Sequence, residues 1–318
     1  MRTALVTGGA GYLGSHLAKA LKNAGYTTIC YDKKFPSHMR YWDDVFSGDV
    51  RDMFLETPFI KHQIDVVFHL AGRIEVGESV DHPELFWDVN VGGTTNLLRM
   101  MRGYNVSDIV YSSTASLYRS SGTDLSEKDQ IAENNPYANS KYAAECAIRN
   151  STLNHIIFRF FNLAGADPDG EMGEMHNPET HLIPVMFENL NSFIINGKDY
   201  RTPDGTCIRD YVHVSDVADA HVAAADYMQT RMANQPTLFN LGTGKGHSVL
   251  EVIHTAVEEL KIPINYRFGQ TREGDPPRLV AIIDLAKKHL KFKPKHDLKS
   301  ILRTAYAWHG KNNRTTTV

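Results

Sequence analysis

Tyr137 and Lys141 stand four residues apart, a spacing that puts both side chains on one face of a helix. A free phenol has a pKa near 10 and is a poor base at neutral pH, but a neighbouring ammonium favours its phenolate. The pair is therefore suited to general-base work, taking a hydroxyl proton as hydride leaves the same carbon. Tyr111-Ser112-Ser113-Thr114 reads as the end of a strand upstream of the pair. A Thr114 hydroxyl at a strand's carboxyl end can bridge substrate and Tyr137, although strand capping is the plainer use for it. An isolated Tyr-x-x-x-Lys is commonly a surface coincidence, so its meaning depends on what lies upstream.

Upstream is Thr7-Gly8-Gly9-Ala10-Gly11-Tyr12-Leu13-Gly14-Ser15, directly after an apolar run. It fits G-x-x-G-x-x-G (Gly8, Gly11, Gly14) or G-x-G-x-x-G (Gly9, Gly11, Gly14). Missing Cβ atoms permit a tight turn and a close backbone approach to a pyrophosphate, and the following helix offers free N–H groups to it. Asp32 closes the next apolar run, 18 residues past Gly14. A carboxylate there accepts from both ribose hydroxyls and repels a 2′-phosphate, so NAD is expected over NADP, with Lys33 and Lys34 as opposing cations. Asp49-Val50 follows a third predicted strand and could meet adenine, or Asp49 could cap the Val50-Arg51-Asp52 turn.

These residues need a scaffold, and the first 165 residues supply its pattern. Short β-branched and aromatic runs (Ala4–Val6, Thr28–Tyr31, Val66–Phe68, Ile109–Tyr111, Ile156–Phe158) alternate with helical segments such as Leu13, Leu17 and Leu21, which end near Gly25. The fold class is α/β: a Rossmann-type doubly wound parallel sheet with a smaller C-terminal α/β substrate lobe. Residues 1–165 form the predicted NAD-binding domain, with a return segment near 212–242, and 166–318 the substrate-binding domain. A polar loop from Asp167 to Thr180, a helix from Leu182 and a turn at Asp204-Gly205 follow. Residues from Asn312 to Val318 read as a frayed polar tail.

With 42% hydrophobic and 22% charged residues the chain is an ordinary globular composition, and a net charge of −3 offers no basic face for nucleic acid or acidic membrane. No apolar run approaches the roughly 20 residues of a membrane span, and the start lacks a signal-peptide pattern. Three scattered cysteines give neither a disulfide framework nor a zinc motif. A cytoplasmic address is expected.

Taken with His69-Leu70-Ala71-Gly72, these motifs resemble the extended short-chain dehydrogenase/reductases, in the NAD-dependent epimerase/dehydratase family. The second half narrows the likeness. Val76–Ser79, Arg159–Ala166, Asp204–His213, Asn240–Gly244 and Arg272-Glu273-Gly274-Asp275 resemble the UDP-glucose 4-epimerases, and the similarity covers nearly the whole chain. It implies a retained NAD contacted by Gly8, Gly11, Tyr12, Leu13, Gly14, Asp32, Asp49, Val50, Leu70, Ala71, Gly72, Asn90, Ser112, Tyr137, Lys141 and Phe160. It also implies a UDP-sugar held by Thr114, Tyr137, Asn162, His181, Leu182, Arg209, Arg272, Asp275 and Leu279. By that analogy Tyr137 deprotonates the sugar 4-hydroxyl, the 4-ketosugar turns over, and hydride returns to its opposite face.

Related dehydratases follow the threonine with an Asp-Glu pair, and related decarboxylases carry Glu just after it. Ala115 and Ser116 stand here, which favours epimerisation. Several positions depart from the family pattern. Ile74 replaces a cofactor-contacting lysine, Arg119 a glycine, and Asn196 an aromatic that stacks on uracil. Leu279, at a position that gates the sugar pocket, predicts room for N-acetylated sugars, or is a packing leucine. His176 and His181 could suggest a metal, but no third ligand at a sensible spacing is evident, and none is expected. The alternatives are a 4-epimerase of another UDP-sugar (UDP-GlcNAc/GalNAc or UDP-glucuronate), a net sugar-nucleotide oxidoreductase, or an NAD-sensing scaffold. The resemblance further implies a homodimer, built from segments near Leu85–Met101 and Tyr142–Asn150.

Overall fold

The computed structural model describes residues 1–119, 122–132, 135–272 and 275–312. The strands are β1 (Thr3–Thr7), β2 (Thr27–Asp32), β3 (Asp44–Ser47), β4 (Val66–His69), β5 (Asp108–Thr114), β6 (Asn154–Phe160), β7 (Asn162–Ala164), β8 (Phe193–Asn196), β9 (Ile208–Arg209), β10 (Tyr211–His213), β11 (Leu238–Leu241), β12 (His247–Ser248), β13 (Tyr266–Gly269) and β14 (Arg278–Leu279). The helices are α1 (Tyr12–Asn23), α2 (Thr57–Lys61), α3 (Val76–Asp81), α4 (Pro83–Phe86), α5 (Gly93–Gly103), α6 (Pro136–Arg149), α7 (Leu182–Glu188), α8 (Val214–Thr230), α9 (Val249–Leu260), α10 (Asp284–Leu290) and α11 (Leu298–Asn312). Asn312 thus closes a helix rather than opening a frayed tail. Residues 313–318 lie outside the described residues, as do Glu273 and Gly274 of the Arg272–Asp275 motif.

Seven parallel strands form the main sheet in the order β11-β6-β5-β4-β1-β2-β3. Strand residues alternate between two cores because successive side chains point to opposite faces. Ala4, Val6, Phe158 and Phe239 pack with Leu17 and Leu21 of α1 and Val217 of α8. Leu5, Ile29 and Ile109 pack on the other face with Leu97 of α5 and Ile148 of α6. Leu17 is fully buried; truncating such a leucine to alanine costs about 2–5 kcal/mol. The strand order reverses between β1 and β4, so a crevice opens at the carboxyl ends of those strands, where doubly wound sheets bind ligands.

After β6 the chain leaves the sheet. Its third core joins Phe187 of α7, Val252 of α9 and Ile301 of α11. The loop from Asp167 leads into α7 without a regular element. The chain then comes back: β10 pairs with β7, α8 packs on α1, and β11 completes the sheet edge beside β6. No helix among the described residues is long and apolar enough to cross a membrane.

Candidate active site

The crevice is a cavity of about 630 Å³, within the usual range for small-molecule sites. Its floor is the glycine turn. Gly8 has φ +76°, and a Cβ there would come within 2.6 Å of the Ala71 amide nitrogen. Gly14 is crowded by the Gly8 and Gly9 backbone in the same way. Glycine alone permits this packing, which leaves the α1 N-terminus facing the cavity, with Gly11 as its cap and no side chain satisfying its first N–H groups. This arrangement fits a dinucleotide pyrophosphate, on backbone geometry alone.

At one end of the cavity Asp32 closes β2. Its carboxylate accepts from the Ala10 amide at 3.0 Å and the Lys34 amide at 2.9 Å. Asp49 sits beside it and caps the Val50-Arg51-Asp52 turn. Its carboxylate accepts from the Arg51 backbone at 2.9 Å and is gripped by the Arg51 and Lys33 side chains. The Arg51 hydrogen bonds, with help from Lys33, hold Asp49 far below the usual carboxylate range.

At the other end stand the catalytic candidates. Asn135 caps α6 by accepting from the Ala138 amide at 2.8 Å, and Pro136 at the first helical position fits the same start. The helix is fixed against the sheet by a buried bidentate pair, Arg159 of β6 on Glu145 of α6, at 2.9 and 2.7 Å. Ser113 also donates to Glu145. Both charged side chains are at most 1% exposed, and removing one partner of such a pair costs about 3–5 kcal/mol. This anchor holds Tyr137 and Lys141 beside Thr114 on the cavity wall.

The electrostatics differ from the expectation that Lys141 depresses the Tyr137 pKa. Burial pushes the Tyr137 phenol up, and a hydrogen bond from Thr114 only partly opposes it. Burial likewise lowers Lys141 to about 7, with Glu145 opposing. The Lys141 ammonium lies 4.5 Å from the ring centre of Tyr111. Burial thus favours the neutral form of both groups; a positive charge in the cavity would favour the phenolate and press Lys141 further towards the neutral amine.

Of the predicted cofactor contacts, all but Asn90 line the cavity. Asn90 lies beneath it: its amide bonds Arg73 N, Arg73 O and Ser140 Oγ, bracing Gly72 against α6. Of the predicted sugar-nucleotide contacts, Thr114, Tyr137, Asn162, His181, Leu182 and Leu279 line the cavity. Arg209, Arg272 and Asp275 do not. Arg209 donates to Asp275 at 2.6 Å, and Tyr200 donates to the same carboxylate at 3.3 Å. In the amide orientation that satisfies both groups, Asn196 accepts from Arg272 Nε and Nη2 at 3.0 and 3.1 Å. This cluster abuts the cavity through Leu279, the β14 register partner of Arg209 in β9.

Sequence reasoning gave no cavity role to several wall residues, of which three bear on the chemistry. Glu75, just before α3, brings a carboxylate into the cavity, and its charge adds to the upward push on Tyr137. Its position two residues ahead of the Gly77-Glu78 motif was the available signal. The other two are Glu174 and His176. The reading that His176 and His181 have no third partner is overturned: the loop folds Glu174 and Glu179 onto both histidines. Short-range spacing in an irregular loop carries no periodicity, so only the folded backbone brings the four together. Beside these carboxylates His176 is raised to about 10.

Comparison with known proteins matches this geometry. Residues 4–242 match the model of the NAD dependent epimerase/dehydratase family. The UDP-glucose 4-epimerase of Rhizobium meliloti (strain 1021) is 39% identical, over 98% of both chains. The UDP-glucose-4-epimerase of Stenotrophomonas maltophila, solved with NAD and formylated UDP-arabinopyranose, superposes with a TM-score of 0.93 at 31% identity, covering 99% of this chain and 100% of that one. The Brucella ovis UDP-glucose 4-epimerase in complex with NAD gives 0.91 at 37% identity, over 98% and 99%. A crevice at the strand-order reversal, a glycine turn on its floor and a Tyr/Lys helix on its wall agree with these matches: the chain belongs to the NAD dependent epimerase/dehydratase family.

Proposed function

We propose that the chain is a UDP-glucose 4-epimerase that interconverts UDP-glucose and UDP-galactose on a retained NAD. The observation that carries the reading is one cavity wall shared by the glycine turn, Thr114, Tyr137 and Lys141. NAD, when bound, supplies the hydride acceptor and donor at the sugar C4. Gly8, Gly11 and Gly14 hold its pyrophosphate, and Asp32 its ribose. Tyr137 takes the 4-hydroxyl proton and gives it back after the 4-ketosugar has turned over. Thr114 orients that hydroxyl through its bond to the phenol, and Lys141 holds the nicotinamide ribose. A positive charge beside Tyr137 offsets its burial and makes the phenolate accessible. Asn162, His181 and Leu182 face the sugar nucleotide, while Arg209 and Asp275, once parted, and Arg272, once off Asn196, take its diphosphate and uridine.

Ala115 and Ser116 line the cavity without a carboxyl group, which supports epimerisation over water loss. Leu279 on the wall favours a second substrate class, the N-acetylated UDP-hexoses, since a leucine leaves more room there than a tyrosine would. The test is incubation of purified protein with UDP-galactose and with UDP-GalNAc, without added NAD. Epimer formation without stoichiometric NADH supports the reading. Product that accumulates only with consumed NAD makes the protein a net oxidoreductase instead, and failure of both N-acetylated epimers removes the second class.

A homodimer through the segments near Leu85–Met101 and Tyr142–Asn150 belongs to the same proposal. Leu85, Trp87 and Tyr142 are exposed apolar residues in those segments and support it. A cytoplasmic address is also proposed, in keeping with three free cysteines.

A further inference from the structure

Lys141 is 4% exposed, and its ammonium has neither a hydrogen bond nor an ion pair among the described residues. Burial penalises the charged form, so such a lysine gives up its proton readily unless a neighbour opposes the loss. On α6, Tyr137 stands one turn before it and Glu145 one turn after. Glu145 favours the ammonium, yet its carboxylate is engaged elsewhere. Arg159 grips it with two hydrogen bonds, Ser113 donates to it, and Arg149 donates at 3.1 Å. On β4, His69 is an uncharged imidazole held by the Thr7 and Thr94 hydroxyls at 2.7 and 2.9 Å. Beside Gly72, where a Cβ would stand 3.7 Å from the Lys141 nitrogen, the Asn90 amide is taken up by Arg73 and Ser140. Glu75, ahead of α3, acts on Tyr137 and opposes its phenolate.

Strand β5 supplies the remaining neighbour. Tyr111 is 1% exposed, and its ring centre lies 4.5 Å from the Lys141 nitrogen, inside the roughly 6 Å over which a ring face attracts a cation. Hydrogen bonding does not explain a tyrosine here, because its hydroxyl is buried with no partner. An unsatisfied buried hydroxyl costs stability, so the ring and not the hydroxyl is what the position uses. The ring is also held in place. Tyr111 is the register partner of His69, and the two rings pack with centroids 5.5 Å apart.

We propose that Tyr111 is a positioning residue whose ring face seats the Lys141 ammonium and keeps it charged beside Tyr137. The attraction is strong because water is excluded from both partners. It acts on the chemistry only through Lys141: a charged lysine draws Tyr137 towards the phenolate. The seat matters most when a second positive charge enters the cavity, since that charge favours the same phenolate but presses Lys141 towards the amine. The inference deepens the epimerase reading and rests on it for the role of Tyr137 as base.

The experiment uses NAD-loaded full-length protein and weakens the pull of the ring without changing its shape. Tyr111→Phe is made first, and then the same ring carrying one, two and three fluorines, installed at this position alone. Each fluorine withdraws electron density from the ring face that attracts the cation, while the packing volume hardly changes. Two readouts are followed: the pH midpoint of the Tyr137 phenolate band in the ultraviolet, assigned by its absence in Tyr137→Phe, and the acid limb of kcat for UDP-galactose. Tyr111→Phe should keep the parent midpoint. The midpoint should then climb with each fluorine, reaching about one pH unit above the parent in the trifluoro ring. On the acid limb kcat should fall by about tenfold, with KM and NAD content held. A midpoint that stays fixed across the series would overturn the seat and leave Tyr111 a packing residue. A shift in Tyr111→Phe as large as that of the trifluoro ring would also overturn it, by placing the effect in the hydroxyl. The ultraviolet titration needs no turnover, so it decides the proposal even where the epimerase reading fails.

Discussion

The Lys33 ammonium lies 2.5 Å from a carboxylate oxygen of Asp49, beside the strand end that carries Asp32. Lys33 is therefore spent on a neighbour rather than free to receive a 2′-phosphate. Arg51 is held by the same carboxylate. Asp32→Ser combined with Asp49→Asn removes the repelling charge and releases Lys33, leaving Arg51 on Asp88 alone. The NADP-to-NAD occupancy ratio after reconstitution should rise by about tenfold or more. An unchanged ratio would show that this carboxylate pair does not select the cofactor.

Tyr137→Phe keeps the ring in its buried place and removes only the hydroxyl. Turnover should fall by about 10²–10⁴-fold, the usual contribution of a positioned acid–base group, while bound NAD and Tm change little. Activity within a few-fold of the parent would refute Tyr137 as the base.

Acid should destabilise the fold before its carboxylates titrate. Burial is the main cause that lowers His69 and His213 to about 3 and His16 and His221 to about 4. In the unfolded chain each binds a proton near pH 6.5. Below that pH the unfolded state holds more protons, so stability falls as pH falls, by up to about 1.4 kcal/mol per pH unit per histidine. The loss runs from about pH 6.5 towards each folded pKa and then levels off. Urea midpoints measured between pH 7 and 5 should drop steadily, and a flat profile across that interval would contradict the four neutral imidazoles.

Glu75 gives the sugar side of the cavity a negative charge. Anionic sugars should therefore be poor substrates, because like charges brought together across a contact cost several kcal/mol. Glu75→Gln should raise kcat/KM for UDP-glucuronate relative to UDP-glucose by about tenfold. A ratio that does not move would remove Glu75 from substrate selection.

The alternation of Ala4–Val6, Thr28–Tyr31 and their successors was readable because strands buried on both faces need near-continuous apolar runs. The glycine turn was readable because its backbone tolerates no Cβ. The bracing contacts of Asn90 were not readable, because a polar side chain that braces a binding loop from beneath and one that touches a ligand have the same composition. Glu145 and Arg159 were illegible as a pair, since nothing in sequence separates a buried bidentate contact from two solvated charges. The direction of the Tyr137 shift was missed because burial, not the Lys141 charge, dominates it. Loop residues Glu174 to His181 obey no period, and their convergence exists only in three dimensions.

Strand β11 reaches the sheet edge only after the chain has passed through α7, β10 and α8. During synthesis the dinucleotide half therefore waits, one edge open, for a segment made much later. A fragment ending near residue 165 would expose the β6 backbone and the apolar face that α8 covers, inviting aggregation. One cavity draws its lining from before and after β6, and the two segments ripen as a single unit.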